Sequence, residues 1–285
     1  MKHLLTATLT STFLLISSAS ASALTTVLYN GAAGTTPDVQ GWARPSTLGS
    51  QSLSGGGTLL DTTADFNIAD GYAWTNTTLN RATGFNIRFD LQLLSESRNG
   101  SASNNVGTDT SDDRAGLSIL VLSSDTRGIE FGFWTDRIWA QEDGLVKADP
   151  ITRTNPATSP TGTRFSQAEG VAFDTQSSMN QFDLTILGNS YILFANGNYS
   201  VPIRTGRLRD YRPEFAAFPS LATAAYNTPN LIFIGDNTTS ARGSFQLNQV
   251  AYSSTPIPFA FNPLFGFGVF GVSRLRKAIA KKRSV

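Results

Sequence analysis

Alternation of apolar and polar residues with a period of two is the feature that most constrains the fold of this chain. In "GFNIRFDLQLL" the apolar residues occupy every second position from Phe85 to Leu93, with Asn, Arg, Asp and Gln between them. In "QFDLTIL" the same pattern places Phe182, Leu184 and Ile186 on one side. Successive side chains of a strand point to opposite faces, so this period predicts strands with one buried and one solvated face.

Other segments extend the prediction along the chain. "AGLSILVLS" and "PNLIFIGD" are nearly continuous apolar runs, typical of strands buried on both faces, and "GSFQLNQVAY" alternates again. "SYILFANGNYSVPI" predicts a hairpin, with Asn196-Gly197 as a two-residue turn that tolerates positive φ. No helix-period pattern of useful length occurs between Leu24 and Thr255. Ten or more such segments predict an all-β antiparallel β-sandwich.

The N-terminal residues have the pattern of an export signal. A short polar start precedes the apolar stretch "LLTATLTSTFLLI", and small residues at Ala21 and Ala23 then supply an A-x-A cleavage pattern. An ordinary N-terminal helix is the alternative interpretation. We expect residues 1–23 to be a signal peptide and the mature, exported chain to begin at Leu24.

The composition excludes several kinds of chemistry. His3, the only histidine, would leave with the signal, and the chain has no cysteine. The mature chain therefore has no residues for a Ser-His-Asp triad, a Cys-His pair, a His- or Cys-ligated zinc ion or a disulfide.

Charge is distributed unevenly along the chain. All 21 carboxylates lie between Asp38 and Asp236, whereas six of the 22 basic residues lie in the last twelve positions and one is in the signal. The remaining 15 basic residues, of which only Lys147 is a lysine, give the body a net charge of −6. An acidic body is a poor binder of polyanions, so we expect no nucleic-acid partner.

The segment "SSDTRGIEFGFWTDRIWAQEDG" has the residues best suited to bind a ligand. It predicts two or three short strands joined by Asp/Gly turns. Aromatic faces on a concave sheet stack on sugar rings, and charged groups bind the hydroxyls. The alternative is that the tryptophans are core anchors and the charged pair forms a solvated turn. The candidate polysaccharide-binding residues are Trp134, Asp136, Arg137 and Trp139.

A glycoside hydrolase is a less favoured interpretation of the same segment. Cleavage needs two carboxylates flanking the bond. On the face of its strand, Glu130 is followed by Gly132 and Trp134, so the second carboxylate is absent, and only an acid from another strand, such as Asp136, could supply it. We therefore expect a protein without catalytic activity.

No cofactor is expected, although two acidic turns offer oxygen atoms of the kind that Ca²⁺ prefers. These turns contain no EF-hand loop pattern, and Asp and Asn also stabilise turns without a metal. The residues concerned are Asp109, Asp112, Asp113, Asp236 and Asn237.

Two long polar stretches, residues 95–114 and 147–167, interrupt the strand pattern. They are rich in Gly, Ser and Thr, and the second also in Pro, which predicts surface loops. Loops of this length are also places where binding function concentrates.

The C-terminal residues 256–285 form a separate segment. Sixteen residues without charge, Ile257 to Val272, precede the basic cluster, and Pro258 and Pro263 forbid a regular helix through the first part. Even if all sixteen residues were helical, they would reach roughly 24 Å, short of a hydrocarbon core of about 30 Å. A permanent transmembrane segment is thus marginal, and a processed sorting signal is the better interpretation.

The tail resembles the C-terminal sorting signals of the PEP-CTERM type, in the variant with a Pro-Phe-x-Phe-x-Pro box, although the Pro-Glu-Pro that names the type is missing. The resemblance implies a Gram-negative, cyanobacterial surface protein, and an exosortase-type membrane peptidase as the partner that processes the tail. The matching positions are Pro258, Phe259, Phe261 and Pro263, followed by the basic Arg274, Arg276 and Lys277.

The body resembles the choice-of-anchor domains that precede such tails, through "GIEFGFWTDRIWAQ", "AEGVAFDT", "GRLRDY" and "NTPNLIFIGDNTTSA". That resemblance implies a concanavalin A-like, laminin-G-like jelly roll over residues 24–255 and display at the cell surface or in the extracellular matrix. Two functions remain open: weak polysaccharide binding, or a purely structural role without a small-molecule ligand.

Overall fold

The computed structural model describes residues 25–98, 115–141, 169–211, 225–239 and 241–257. Among them are fifteen β-strands, three short 3₁₀ turns and no α-helix. The strands are β1 (Thr25–Asn30), β2 (Ser50–Ser54), β3 (Gly57–Asp61), β4 (Asp70–Trp74), β5 (Phe85–Arg98), β6 (Ser118–Leu122), β7 (Arg127–Trp134), β8 (Arg137–Gln141), β9 (Glu169–Ala172), β10 (Asn180–Leu187), β11 (Ser190–Ala195), β12 (Arg204–Arg207), β13 (Arg209–Asp210), β14 (Ile232–Asp236) and β15 (Ala241–Ser253). The turns are Gly31–Ala33, Asp38–Gln40 and Ala225–Asn227.

The strands form two antiparallel sheets. Sheet A has the order β12-β11-β10-β5-β15-β3-β2, and β1 pairs with β15. Sheet B has the order β4-β14-β6-β7-β8-β9, and β13 pairs with β7. The chain crosses between the sheets several times, as from β4 to β5 and back to β6. This is the all-β antiparallel sandwich that the alternation predicted, and it is of the jelly-roll type that the resemblance implied.

The alternating residues form the core between the sheets. The apolar residues of β5 and β10 that the sequence placed inward, from Phe85 to Leu93 and from Phe182 to Ile186, are all fully buried. Phe182 contacts both layers: its ring centroid lies 5.6 Å from that of Phe89 in sheet A and 5.4 Å from that of Phe133 in sheet B. The continuous apolar runs became β6 and β14, which are buried along their whole length, as predicted.

One predicted loop begins later than the sequence indicated. Residues 95–98, expected to start a polar loop, continue β5 because β15 pairs with them, from Ser244 opposite Ser95 to Ala241 opposite Arg98. A ladder of backbone hydrogen bonds needs no apolar side chains, so the apolar pattern ended before the strand did. The rest of that loop, and residues 147–167, lie outside the described residues.

The predicted hairpin after β11 was wrong in its second half. The turn forms, with φ of 52° at Asn196 and 70° at Gly197, but the strand that pairs back on β11 starts only at Arg204. Pro202 has no N–H for a ladder, and residues 198–203 form a loop instead. The tight hairpin joins β10 to β11, with Leu187 opposite Ser190.

The boundaries 1–23, 24–255 and 256–285 stay predictions. The signal peptide with Ala21 and Ala23 lies outside the described residues, as does the tail from Pro258 onward. In the described part of the chain, no helix is long and apolar enough to span a membrane.

Candidate functional site

The hairpin of β7 and β8 brings the four candidate binding residues together. On β7, Ile129, Phe131 and Phe133 enter the core, so the residues between them lie on the outer face of sheet B. On β8, Ile138 and Ala140 enter the core in the same way. The outer face of this hairpin therefore presents Glu130, Gly132 and Trp134 from β7, and Arg137 and Trp139 from β8.

The two tryptophans pack against each other. Their ring centroids lie 6.3 Å apart at 67°, an edge-to-face arrangement, and Ala115 completes a small cluster separate from the main core. Trp139 lies opposite Gly132 in the ladder, and a Cβ at Gly132 would collide with the indole. The absence of a side chain at Gly132 is what lets Trp139 lie flat on the sheet.

The two tryptophans differ in what covers them. Trp139 is 1% exposed and Trp134 is 8% exposed. Over Trp134 lies the guanidinium of Arg98, with its Cζ 3.9 Å from the ring centroid. Arg98 is itself partly exposed, and its Nε lies 3.1 Å from Oε1 of Glu96. The guanidinium of Arg98 thus covers the face of Trp134, and a cation–π contact at a partly exposed site is worth about 0.5–1 kcal/mol.

Asp136 and Arg137 occupy the other end of the site. Both are exposed at the turn between β7 and β8. The turn is fixed by its backbone, since the N–H of Phe173 donates to the carbonyl of Asp136 at 3.0 Å and Thr175 Oγ1 donates to the carbonyl of Trp134 at 2.7 Å. The charged pair is therefore positioned at the edge of the tryptophans and open to solvent.

Glu130 lies further along the same face, fully buried. The hydroxyl of Tyr226 donates to Oε2 at 2.6 Å, and Asn237 Nδ2 donates to Oε1 at 2.9 Å. Tyr226 packs on Tyr211 with centroids 5.0 Å apart. We call Glu130, Tyr226 and Asn237 the Glu130 cluster. It places a hydrogen-bonded carboxylate on the same face of the hairpin as the tryptophans, two positions along β7 from Gly132, which pairs with Trp139.

One polar atom on this face is not satisfied. Within the described part of the chain, the indole Nε1 of Trp139 is buried and has no hydrogen-bond acceptor. By contrast, Nε1 of Trp42 donates to the carbonyl of Leu28 at 2.9 Å, and Nε1 of Trp74 donates to Thr77 Oγ1 at 2.8 Å. A buried donor without a partner costs about 1–3 kcal/mol, so Trp139 stands out from the other two.

Of the five residues considered as calcium ligands, the structure describes Asp236 and Asn237. Asp236 is buried and accepts from Thr62 Oγ1 at 2.8 Å and from the N–H of Thr238 at 3.0 Å, while Asn237 belongs to the Glu130 cluster. No group of three or more His, Cys, Asp or Glu residues suited to a metal occurs among the described residues. Asp109, Asp112 and Asp113 lie outside them, so a calcium site there stays a prediction.

Sequence reasoning missed Arg98 and Tyr226. Arg98 lay in a stretch interpreted as a loop, and Tyr226 lies 96 residues from Glu130, so no local spacing links the two. Glu130 was considered only as a catalytic acid.

No protein-family model matches this chain, and no curated protein sequence matches it either. The resemblance to choice-of-anchor domains and PEP-CTERM tails therefore stays a prediction. Among solved structures, the chain is similar to a carbohydrate esterase from a Shiga toxin-encoding bacteriophage, with 12% identity and a TM-score of 0.46 over 81% of this chain and 99% of that one.

It is also similar to a protein of unknown function with a galectin-like fold from Bacillus subtilis, with 9% identity and a TM-score of 0.45 over 80% of this chain and 96% of that one. For sheep galectin-11 in complex with glycerol, the identity is 13% and the TM-score 0.32, over 64% of this chain and 96% of that one. At such values the likeness assigns neither a ligand nor a reaction to this chain.

Proposed function

We propose that this protein is an exported, non-catalytic β-sandwich that binds polysaccharide weakly at the outer face of sheet B. The observation that supports this most is the buried, unpartnered N–H of Trp139 beside the Glu130 cluster. A sugar hydroxyl accepting from that N–H would remove the cost of leaving it unpaired. In a purely structural surface protein, the same position gains nothing from an indole nitrogen.

The remaining groups of the site suit a sugar ring. Arg98 lies over the face of Trp134, so a sugar that stacks there has to displace it, which costs the cation–π contact, about 0.5–1 kcal/mol, and the ion pair with the buried Glu96. Asp136 and Arg137, exposed at the turn, can then bind hydroxyl groups at the rim. Because the site must first open, we expect the affinity for a single sugar to be low.

The test is affinity electrophoresis of the purified full-length chain through gels that contain soluble polysaccharides, preceded by a glycan array. Trp139→Phe keeps an aromatic ring and removes the N–H, so we expect weaker binding, together with the loss of stability that the smaller buried ring causes. Trp42→Phe is the matched control, because it makes the same change in ring size at a buried position and removes a satisfied N–H: it should lower stability by about 1 kcal/mol more than Trp139→Phe does and leave binding unchanged. Silence of the wild-type chain across the array would refute the proposal and favour the structural alternative.

The absence of catalysis is part of the proposal. Glu130 has no exposed surface and its oxygens accept from Tyr226 and Asn237, which supports a structural or binding role for this carboxylate. Incubation with the polysaccharides that bind should release no reducing ends. Release that Glu130→Gln abolishes would establish a glycoside hydrolase instead.

Display at the cell surface is proposed from the sequence, through the sorting signal at residues 256–285 and its exosortase-type partner. Deletion of Ile257–Val285 should send the protein into the medium. Equal retention on the cell by the truncated chain would contradict this assignment.

A further inference from the structure

A second polar site lies on the opposite side of the sandwich, around Asp183. On β10, Phe182 and Leu184 enter the core, so Asp183 lies on the outer face of sheet A; yet its side chain has no exposed surface. Four side chains cover and bind it. They are Asn86, whose Nδ2 donates at 3.1 Å, Arg88, whose Nε donates at 3.0 Å, Gln181, whose Nε2 donates at 3.0 Å, and Tyr199, whose hydroxyl donates at 3.0 Å. We call these five residues the Tyr199 cluster.

Tyr199 is held in place although it is exposed. Its hydroxyl donates to Asp183 and accepts from Arg88 Nη2 at 2.9 Å, while its ring packs edge-on against Phe194 with centroids 5.5 Å apart. The residue remains 42% exposed. An apolar side chain would be enough to cover Phe194. The ring of Tyr199, in contrast, is held by its hydroxyl and by its contact with Phe194, so it is a stacking surface that loses little conformational entropy on binding.

Two neighbouring groups on β5 complete the site. The side chain of Arg88 is 35% exposed, and its hydrogen bonds within the described part of the chain use Nε and Nη2, so Nη1 remains available as a donor. Asp90 lies two residues further on the same face. The residue is half-buried, and its Oδ1 is itself buried and has no hydrogen-bond partner among the described residues. Burial raises the pKa of Asp90, and the charge of Arg88 only partly offsets this.

The charges decide which ligand fits. One arginine faces two aspartates, so the site has a formal charge of −1 and would repel an anionic polymer. Hydroxyl groups, in contrast, can accept from Arg88 and donate to Asp90 without burying a new charge.

We propose that the Tyr199 cluster and Asp90 form a second binding site, specific for neutral polysaccharide, in which a pyranose ring stacks on Tyr199. Because this site and the tryptophans lie on opposite faces of the sandwich, one molecule can join two polysaccharide chains. The bridging role rests on the function proposed above, whereas the second site does not.

The test again uses the full-length chain. Affinity electrophoresis in dextran, galactomannan and xyloglucan gels, with alginate as the anionic comparison, is run for the wild type, Tyr199→Ala, Trp134→Ala and the double variant. Val201→Ala is the matched control, since Val201 lies on the same loop, 64% exposed. We expect Tyr199→Ala to weaken binding of at least one neutral polysaccharide at least fivefold, Val201→Ala to change nothing, and alginate not to bind through Tyr199. Asp90→Asn should weaken the same interaction.

Bridging is measured separately, by light scattering of the protein mixed with the polysaccharide that binds. The wild type should raise the scattering, and either single variant should abolish the rise. Loss of binding in Tyr199→Ala but not in Trp134→Ala would leave the second site standing and remove the function proposed for sheet B. If Tyr199→Ala binds every neutral polysaccharide as the wild type does, or lowers binding to alginate alone, the second site is refuted.

Discussion

The two outer faces of this sandwich differ in how their buried polar groups are hydrogen-bonded. On sheet A, the buried Asp183 is surrounded by donors that satisfy it, and the tyrosine that completes the set stays exposed. On sheet B, Trp139 is buried with an indole N–H that has no acceptor among the described residues. On sheet A, Asp183 is satisfied without a ligand and the ring of Tyr199 is exposed, although Oδ1 of Asp90 has no hydrogen-bond partner among the described residues. On sheet B, both tryptophans are buried. Binding at the outer face of sheet A and binding at that of sheet B are therefore separate properties.

A substitution in the core between the two sheets should affect both outer faces equally. Phe182→Ala removes a ring that contacts Phe89 and Phe133, one in each sheet. We expect a loss of about 3–5 kcal/mol in the free energy of unfolding, measured by urea denaturation, together with weaker binding at both faces. A variant that lost only one site would show that the faces do not share one core.

Replacing the buried carboxylate of each face with an amide should lower the free energy of unfolding by different amounts. Asp183→Asn leaves the partly exposed Arg88 without this ion-pair partner and weakens the hydrogen bonds that the carboxylate accepts, and we expect a loss of about 1.5–3 kcal/mol. Glu130→Gln keeps neutral partners, Tyr226 and Asn237, whose groups can rearrange, so the loss should be below about 1 kcal/mol. Chemical denaturation of both variants checks the ranking, and equal losses would contradict the distinction between the faces.

Arg98→Ala tests whether Arg98 blocks the proposed binding site on sheet B. The substitution removes the guanidinium from the face of Trp134. Without the need to displace it, polysaccharide binding should strengthen at least about twofold, the equivalent of about 0.5 kcal/mol. The free energy of unfolding should fall, because the buried Glu96 loses this ion-pair partner. Affinity electrophoresis measures the change, with Arg242→Ala, at a position where the guanidinium covers Phe66, as the control. Weaker binding after Arg98→Ala would mean that Arg98 itself contacts the ligand.

The smallest effect concerns Asp90 on sheet A. Because burial raises the pKa of Asp90, its charged form is less favourable in the folded chain than in the unfolded chain. The penalty is absent below the unfolded pKa and present above the folded pKa. Asp90→Asn should therefore raise the free energy of unfolding at pH 7 and give no gain near pH 3. A destabilising effect at pH 7 would show that the carboxylate serves the fold, contrary to a binding role.

Much of the fold could be predicted because strand periodicity is a local property. The buried residues of β5 and β10 were predicted at the correct positions, as were the doubly buried β6 and β14. The end of β5 at Arg98 was not, because it depends on pairing with β15, more than 140 residues away in sequence. The hairpin after β11 failed for a related reason, since the loop with Pro202 and Tyr199 folds over sheet A.

The candidate site was predicted in part. Its position on the hairpin of β7 and β8 followed from the spacing of Trp134 and Trp139 and from the charged turn. The Glu130 cluster and the cover of Arg98 over Trp134 did not, because Tyr226 and Arg98 reach the site from other elements.

The sequence alone determined that this chain forms strands, which face of β5 and β10 is buried, and that it has no cysteine and a single histidine, His3. Only the tertiary structure decided which polar residues of the outer faces are satisfied. Asp183 finds its donors on β5, on β10 and in the loop after β11, while Trp139 finds no acceptor in the described part of the chain. The physical reason is range: alternation is set by neighbouring residues, whereas a hydrogen bond across a sheet depends on which distant strands lie side by side.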